Sequence, residues 1–269
     1  MPTYTDEGVV LRRVDYGEAD RILTVLTREH GKIGVIARGV RRAASSHSAA
    51  TDLFARSRMQ LARGRGDLDV LTQAERRGGA APWGDARRAA CASLCAELAD
   101  RVLESHHHDP AIYDLVVSAL AGCADASRDP RLAVAWFARR MIDRLGYAPQ
   151  LHRCASCEAV LSERPAAFSA VGGGLLCPRC APSDGGAVPC SVRVIKVLRT
   201  VAAGDHGLYR RLRLDGATLN TLEDVVEREL AQHLDRRLRS LDVLRSLQRR
   251  PAARSLPDGS GGSEVADRI

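Results

Sequence analysis

Cys154, Cys157, Cys177 and Cys180 form two Cys-x-x-Cys pairs separated by nineteen residues. Two such knuckles can close around one tetrahedral ion, and four thiolates suit Zn²⁺. A four-sulfur site leaves no coordination position for water, so its metal braces a fold instead of doing chemistry. The alternative reading is two disulfides or four buried thiols. The segment Met1 to Gly8 is polar, carries Asp6 and Glu7, and does not read as a secretory signal. In a reducing compartment paired cysteines point to metal or redox work. A redox pair would come once, after a strand and opening a helix. Here the pair comes twice, in the neighbourhood of Gly172, Gly173, Gly174, Pro178 and Pro182. These four cysteines are therefore expected to hold a structural zinc ion.

The second chemical feature is charge. The chain carries a formal net charge of +7, which favours an anionic partner such as nucleic acid or an acidic protein tail. Lys32, Arg38, Arg41, Arg42, Arg56, Arg58, Arg63 and Arg65 are opposed only by Asp52 between residues 32 and 65, so this one tract equals the whole formal excess. Lys32 and Lys196 are the only lysines; the remaining fixed cations are arginines, whose forks grip phosphate bidentately. Only Tyr4, Tyr16 and Phe54 are aromatic in the first eighty residues. Grip on a nucleic acid is thus expected from phosphate contacts, with weak sequence preference and little distinction between single and double strands.

Other reactive residues read as structural. Adjacent helical residues point about 100° apart, so His106, His107 and His108 cannot all face one ion on a helix; a helix end is the plainer reading. Cys91 and Cys95, four apart, and Cys123 suit tight apolar packing. Cys190 is a possible spare ligand, though a lone thiol is more often inert. Gly172–Gly174 lacks the following Lys-Ser/Thr of a phosphate loop and reads instead as a turn into the second knuckle. Trp136 and Phe137 read as core. Arg236, Arg237 and Arg239 are either solvated or an extension of the anionic surface. No paired-carboxylate site, nucleophile elbow, Walker or zincin motif is present, and no apolar run approaches a membrane span.

These residues need elements to position them. Residues 1–80 read as short strands at Gly8–Val14, Arg21–Thr27, Ile33–Ala37, Phe54–Ala62 and Leu68–Ala74. Five strands with one long loop fit a small closed barrel, with an OB-fold leading and an SH3-like barrel also permitted. The period then turns helical over 83–150. Asp85 caps a helix to about Ser105, and Asp109-Pro110 and Asp129-Pro130 open helices over about 110–124 and 130–145. The cysteine module spans 151–183. Over 190–249 the helical pattern resumes at Val192–Val201 and continues in one long helix, Leu219–Leu247, with Leu222, Val226, Leu230, Leu234, Leu238 and Leu241 inward. Residues 250–269 read as a disordered tail. The fold class is α+β and multidomain: an N-terminal OB-fold barrel, then an α-helical domain carrying an inserted four-cysteine, zinc-ribbon-like module.

The segment from Gly8 to Arg42, GVVLRRVDYGEADRILTVLTREHGKIGVIARGVRR, closely resembles the start of the RecO family of bacterial recombination mediators. Leu145-Gly146-Tyr147-Ala148-Pro149, then Cys154-x-x-Cys157 and Gly173-Gly174-Leu175-Leu176-Cys177-x-x-Cys180, resemble its central region. Leu238-Arg239-Ser240-Leu241 resembles its last helix. The resemblance implies an OB-fold, a helical domain and a zinc-ribbon insertion. It also implies a role in DNA repair and homologous recombination. Such a protein binds single- and double-stranded DNA and anneals complementary strands. It takes the C-terminal tail of the single-strand-binding protein, partners RecR, and helps load RecA. By this analogy Lys32, Arg38, Arg41 and Arg42 are the expected DNA contacts, to which the basic tract on the barrel adds Arg56 and Arg58; the protein is expected to be cytoplasmic and nucleoid-associated, not membrane-bound and not an enzyme. Two competing readings are a zinc-containing DNA- or RNA-processing enzyme that uses the barrel as a grip, and a scaffold whose basic tract meets acidic protein tails.

Overall fold

Alternating apolar residues from Thr3 to Gly78 make five strands that close on themselves. The computed structural model describes residues 2–42, 45–64, 66–79, 84–204, 206–234 and 238–249. Arg65, Pro82, Arg236, Arg237 and the expected tail 250–269 lie outside them. The strands are β1 (Thr3–Tyr16), β2 (Asp20–Thr27), β3 (Gly31–Ala37), β4 (Arg56–Ala62) and β5 (Leu68–Gly78). They pair in the order β1-β2-β3-β5-β4 and back to β1, with β3 and β5 parallel. This is the expected OB-like barrel. Its interior is filled by Val10, Leu23, Val25, Ile33, Val35, Met59, Leu61 and Leu71.

β1 is longer than the apolar run that signals it, because its ends carry polar residues that still pair: Thr3 with Ala62 and Tyr16 with Asp20. Its first half pairs with β4 and its second with β2. A bulge at Leu11, between Val10 opposite Val25 and Arg12 opposite Thr24, accommodates the change of partner. β4 begins at Arg56, two residues later than expected, because Phe54 takes a left-handed backbone (φ 64°).

The helices start where the acidic caps predict. α1 (Ala86–Val102), α2 (Pro110–Ala124) and α3 (Pro130–Arg144) begin after Asp85, Asp109 and Asp129, whose carboxylates accept the first free amides. α1 stops three residues short of Ser105. The histidine triplet therefore does not sit on a helix end but in an extended connection laid against the barrel. The His106 amide donates to the Lys32 carbonyl at 3.0 Å. Gly31 (φ 69°) lies so close that a Cβ there would be 2.2 Å from the His107 carbonyl oxygen, so only glycine fits.

After the cysteine segment come β6 (Ala166–Ser169), β7 (Gly174–Leu176) and β8 (Val188–Cys190), in the order β7-β6-β8. Then follow α4 (Val192–Ala203), α5 (His206–Arg211), α6 (Gly216–His233) and α7 (Arg239–Arg249). The single helix expected over 219–247 is two. α6 ends at His233, and Leu234 is extended (φ −115°, ψ 121°). The apolar stripe runs on through the break, with Leu230, Leu238, Leu241 and Leu244 all buried, so periodicity alone could not reveal it. Among the described residues no helix is long and apolar enough to cross a membrane.

One apolar cluster joins the barrel to the helices. Val9, Leu11, Leu26 and Phe54 from the barrel pack with residues of α1, α2, α3, α6 and α7. Cys91, Cys95 and Cys123 are buried in this cluster. Burial pushes Cys91 up, and a hydrogen bond to Cys123 together with burial pushes Cys95 up, so both stay neutral thiols. Phe137 lies here too, while Trp136 belongs to a second cluster. Inside the helical part, Arg139 of α3 ion-pairs with Glu229 of α6 and with Asp143 (2.9 Å).

Helix α7 is held at its start by a side chain from elsewhere. The Glu97 carboxylate of α1 accepts the amides of Arg239 (3.1 Å) and Ser240 (2.8 Å) and the Ser240 hydroxyl (2.8 Å). Burial works against its ionisation, but these bonds outweigh it and hold its pKa below the usual carboxylate value. This contribution to stability is present above the unfolded-chain pKa of about 4.3 and is lost as pH falls through the lower folded value. Glu97→Ala should cost about 1–2 kcal/mol at neutral pH, a loss that shrinks in acid. Hydrogen exchange should show it concentrated in α7, with barrel amides unchanged.

Candidate metal centre and nucleic-acid interface

The four expected ligands converge. Their sulfur atoms all lie within 4.8 Å of one another, and among the described residues they are the group able to hold a metal ion. A ZnS₄ tetrahedron with bonds of about 2.3 Å has edges of about 3.8 Å; the Cys157 and Cys177 sulfurs are 3.8 Å apart. Each knuckle is shaped by its backbone. Glu158, left-handed at φ 60°, donates its amide to the Cys154 carbonyl. The amides of Cys180 and Ala181 both reach the Cys177 carbonyl at 2.9 Å. The knuckles are tied together by Ala155 N–H to the Leu175 carbonyl, 2.8 Å, and by Cys177 N–H to the Cys154 sulfur, 3.3 Å. Gly173 (φ 70°) makes the turn into the second knuckle, and Gly174 packs against Gln150 where a Cβ would be 2.3 Å from a carbonyl oxygen.

Electrostatics favour a cation between these sulfurs. Burial works against ionisation of Cys154, but amides of Cys177, Cys157 and Ser156 outweigh it and lower the thiol to about 6. Cys180 is pushed up to about 12 by its hydrogen bonds to Cys157 and Cys177. Four thiolates this close would repel one another, a repulsion that a divalent ion would relieve. Cys190 is no part of the group: its buried thiol donates to the Val188 carbonyl at 3.3 Å, and burial pushes it up to about 11.

The six expected DNA contacts fall into three places. Arg38, Arg41 and Arg42 are together and exposed, in the loop that leaves β3. That loop is pinned to the β1–β2 turn by Arg41 N–H to Ala19 carbonyl (2.9 Å) and Gly39 N–H to Asp20 carboxylate (2.8 Å). Arg41 shares Asp15 with Arg21 at 3.4 and 3.2 Å, while Arg38 and Arg42 make no ion pair among the described residues. Lys32 is elsewhere and engaged: its side chain is 14% exposed and its ammonium meets Asp100 of α1. Arg56 and Arg58 lie on β4, across the barrel from the β2–β3 face. Arg56 pairs with Glu7 at 3.3 Å, and Arg58 has Glu7 and Glu75 as its cross-strand neighbours. The basic tract is therefore continuous in sequence but not in space, and its densest exposed group is Arg38, Arg41 and Arg42.

Two exposed residues on the barrel escaped the sequence reading. Arg12 is outward-facing on β1, with its side chain 62% exposed and 3.4 Å from Asp100. Tyr16, 55% exposed, closes the same strand beside the Arg38–Arg42 loop. Pleat parity from Val10 would have signalled neither, since the bulge at Leu11 reverses the faces beyond it. The histidines remain apart from any metal grouping among the described residues; His108 lies 3.6 Å from Glu29 across the barrel seam.

Residues 1–79 match the family described as Recombination protein O N terminal, and residues 84–242 match Recombination protein O C terminal. Three similar proteins carry the name DNA repair protein RecO. That of Symbiobacterium thermophilum is 33% identical over 259 residues, covering 91% of this chain and 99% of the relative. That of Desulforudis audaxviator is 36% identical over 248 residues, covering 92% and 98%. That of Bifidobacterium adolescentis is 34% identical over 249 residues, covering 91% and 100%.

Elemental analysis of purified protein should find about one divalent metal per chain, and Cys177→Ser should abolish it. The same variant should speed hydrogen exchange in β6–β8 while leaving barrel amides at their wild-type rates.

Proposed function

The chain belongs to the Recombination protein O family, and on that premise we propose that it is a DNA repair and recombination mediator that works by binding, without catalysing bond cleavage. The observation that carries this reading is the Arg38, Arg41 and Arg42 cluster. It stands exposed on the barrel's β3 exit, beside the β1–β2 turn, the region where OB-folds meet oligonucleotides. Such a cluster neutralises phosphates on single or double strands and releases their counterions. Two complementary strands held this way repel each other less, which favours annealing without nucleotide hydrolysis.

The Cys154, Cys157, Cys177 and Cys180 set fits zinc in donor type and, between Cys157 and Cys177, in edge length. The ion would hold the two knuckles to one another, with no open position for substrate. The remaining features of the reading come from the family alone: partnership with RecR, capture of the single-strand-binding protein's tail, help in loading RecA, and action at the nucleoid in the cytoplasm.

Binding titrations against salt test the core of the reading. Replacing Arg38, Arg41 and Arg42 together by alanine should flatten the slope of log K against log salt by about 2 for single strands and about 3 for duplex. The double change Arg56→Ala/Arg58→Ala should leave that slope near wild type. An unaltered slope in the triple variant would remove the cluster as the contact set.

A further inference from the structure

Outside the barrel, strand register lines up an apolar band that the arginine cluster does not explain. Val14 of β1 lies opposite Ile22 of β2, Ile22 opposite Ile36 of β3, and Ile36 opposite Val70 of β5. Their neighbours Leu23, Val35 and Leu71 fill the interior, so these four point outward. Val14 is 47% exposed and the other three are half-buried. One row further on, Leu68 folds over Gly34, where a Cβ would be 2.6 Å from the leucine side chain. One row back stand Tyr16 and Arg38.

Among the described residues the helical part packs on the barrel elsewhere. Its apolar contact, through Val9, Leu11 and Leu26, and the Lys32–Asp100 pair lie toward the opposite end of the strands, and Arg12, which also reaches Asp100, stands between that contact and the band. The band's own end carries Arg21, Arg38, Arg41 and Arg42 against Asp15, Glu18 and Asp20. Asp15 and Asp20 are occupied, the first by Arg21 and Arg41, the second by the Gly39 amide. An apolar strip with a cationic margin matches one kind of polymer: a phosphate backbone whose bases are turned out and unstacked. Across four strands at about 4.8 Å spacing the band is about 14 Å long, enough for a few nucleotides.

We propose that this face binds the bases of single-stranded DNA, with Tyr16 as the stacking platform and Ile22 and Ile36 as the apolar floor, while Arg38, Arg41 and Arg42 hold the phosphates. The inference rests on the DNA-binding reading above and deepens it. Of the three aromatic residues in the barrel, Tyr4 is committed to Asp69 and Phe54 is buried; Tyr16 is the one free to stack. A duplex keeps its bases stacked on one another and offers this band nothing. Selectivity for the single strand thus belongs to the band, and phosphate attraction belongs to the arginines.

The test compares three ligands by fluorescence anisotropy with the full-length protein: an oligothymidylate, the same backbone without bases, and a hairpin duplex. Wild type should prefer the oligothymidylate to the abasic strand. Tyr16→Ala should weaken oligothymidylate binding about tenfold, with no change in salt slope and none in duplex or abasic affinity. Tyr16→Phe should restore wild-type binding. Ile36→Ser, checked for an unchanged melting temperature, should act in the same direction. Equal wild-type affinity for the abasic and thymidylate strands would overturn the proposal, as would equal losses on duplex and single strand in Tyr16→Ala. Failure of the parent reading looks different: a triple arginine variant with an unchanged salt slope on every ligand.

Discussion

Everything external to the barrel is decided by where the helices dock on it. A five-stranded barrel presents outward residues all round, and each apolar one must be covered or left wet. Here Val9, Leu11, Leu26 and Phe54 are covered by the helical core. Gly31 allows the chain after α1 to run within contact of the β2–β3 turn. Lys32 fixes the angle by reaching Asp100. Cover at this end leaves the Tyr16 end open, so one seam both joins the two parts and defines the free surface.

The cysteine module uses a different combination of forces. Four sulfurs within 4.8 Å of one another could hold its knuckles together through an ion, while Phe168, Leu175 and Val188 of its small sheet pack with Val194, Ile195 and Leu222 from the helices. Three strands of three or four residues could not make a core alone. An ion held there would shape the module, while the apolar contact seats it on the helices. Burial of Cys154 is where the two meet, since it lies at 1% exposure under the knuckle it ligates.

Local chemistry made much of this legible in the amino-acid sequence. Asp109-Pro110 and Asp129-Pro130 marked helix starts to the residue, because a cap and a fixed φ act within one turn. The doubled Cys-x-x-Cys marked four sulfurs that the fold brings together. What escaped was set by distant contacts. The break at Leu234 is invisible in a stripe of leucines, because Glu97, far away in the chain, starts the next helix. Lys32 reads as a free cation until Asp100 is seen beside it. Arg56 and Arg58 follow Arg42 in sequence, yet closure of the barrel carries β4 to the other wall. The face of Tyr16 depends on a single extra residue, Leu11.

The bond between Glu97 and Ser240 spans 143 residues. By contrast, every strand pairing of the barrel is complete within residues 3–78. During synthesis the barrel can close as soon as its own strands leave the ribosome, whereas the Glu97 carboxylate of α1 must wait for another 143 residues before Ser240 arrives. In that interval the apolar patch of Val9, Leu11 and Leu26 stands uncovered on a finished barrel. The nascent protein thus passes through a stage in which a native first domain still exposes apolar surface.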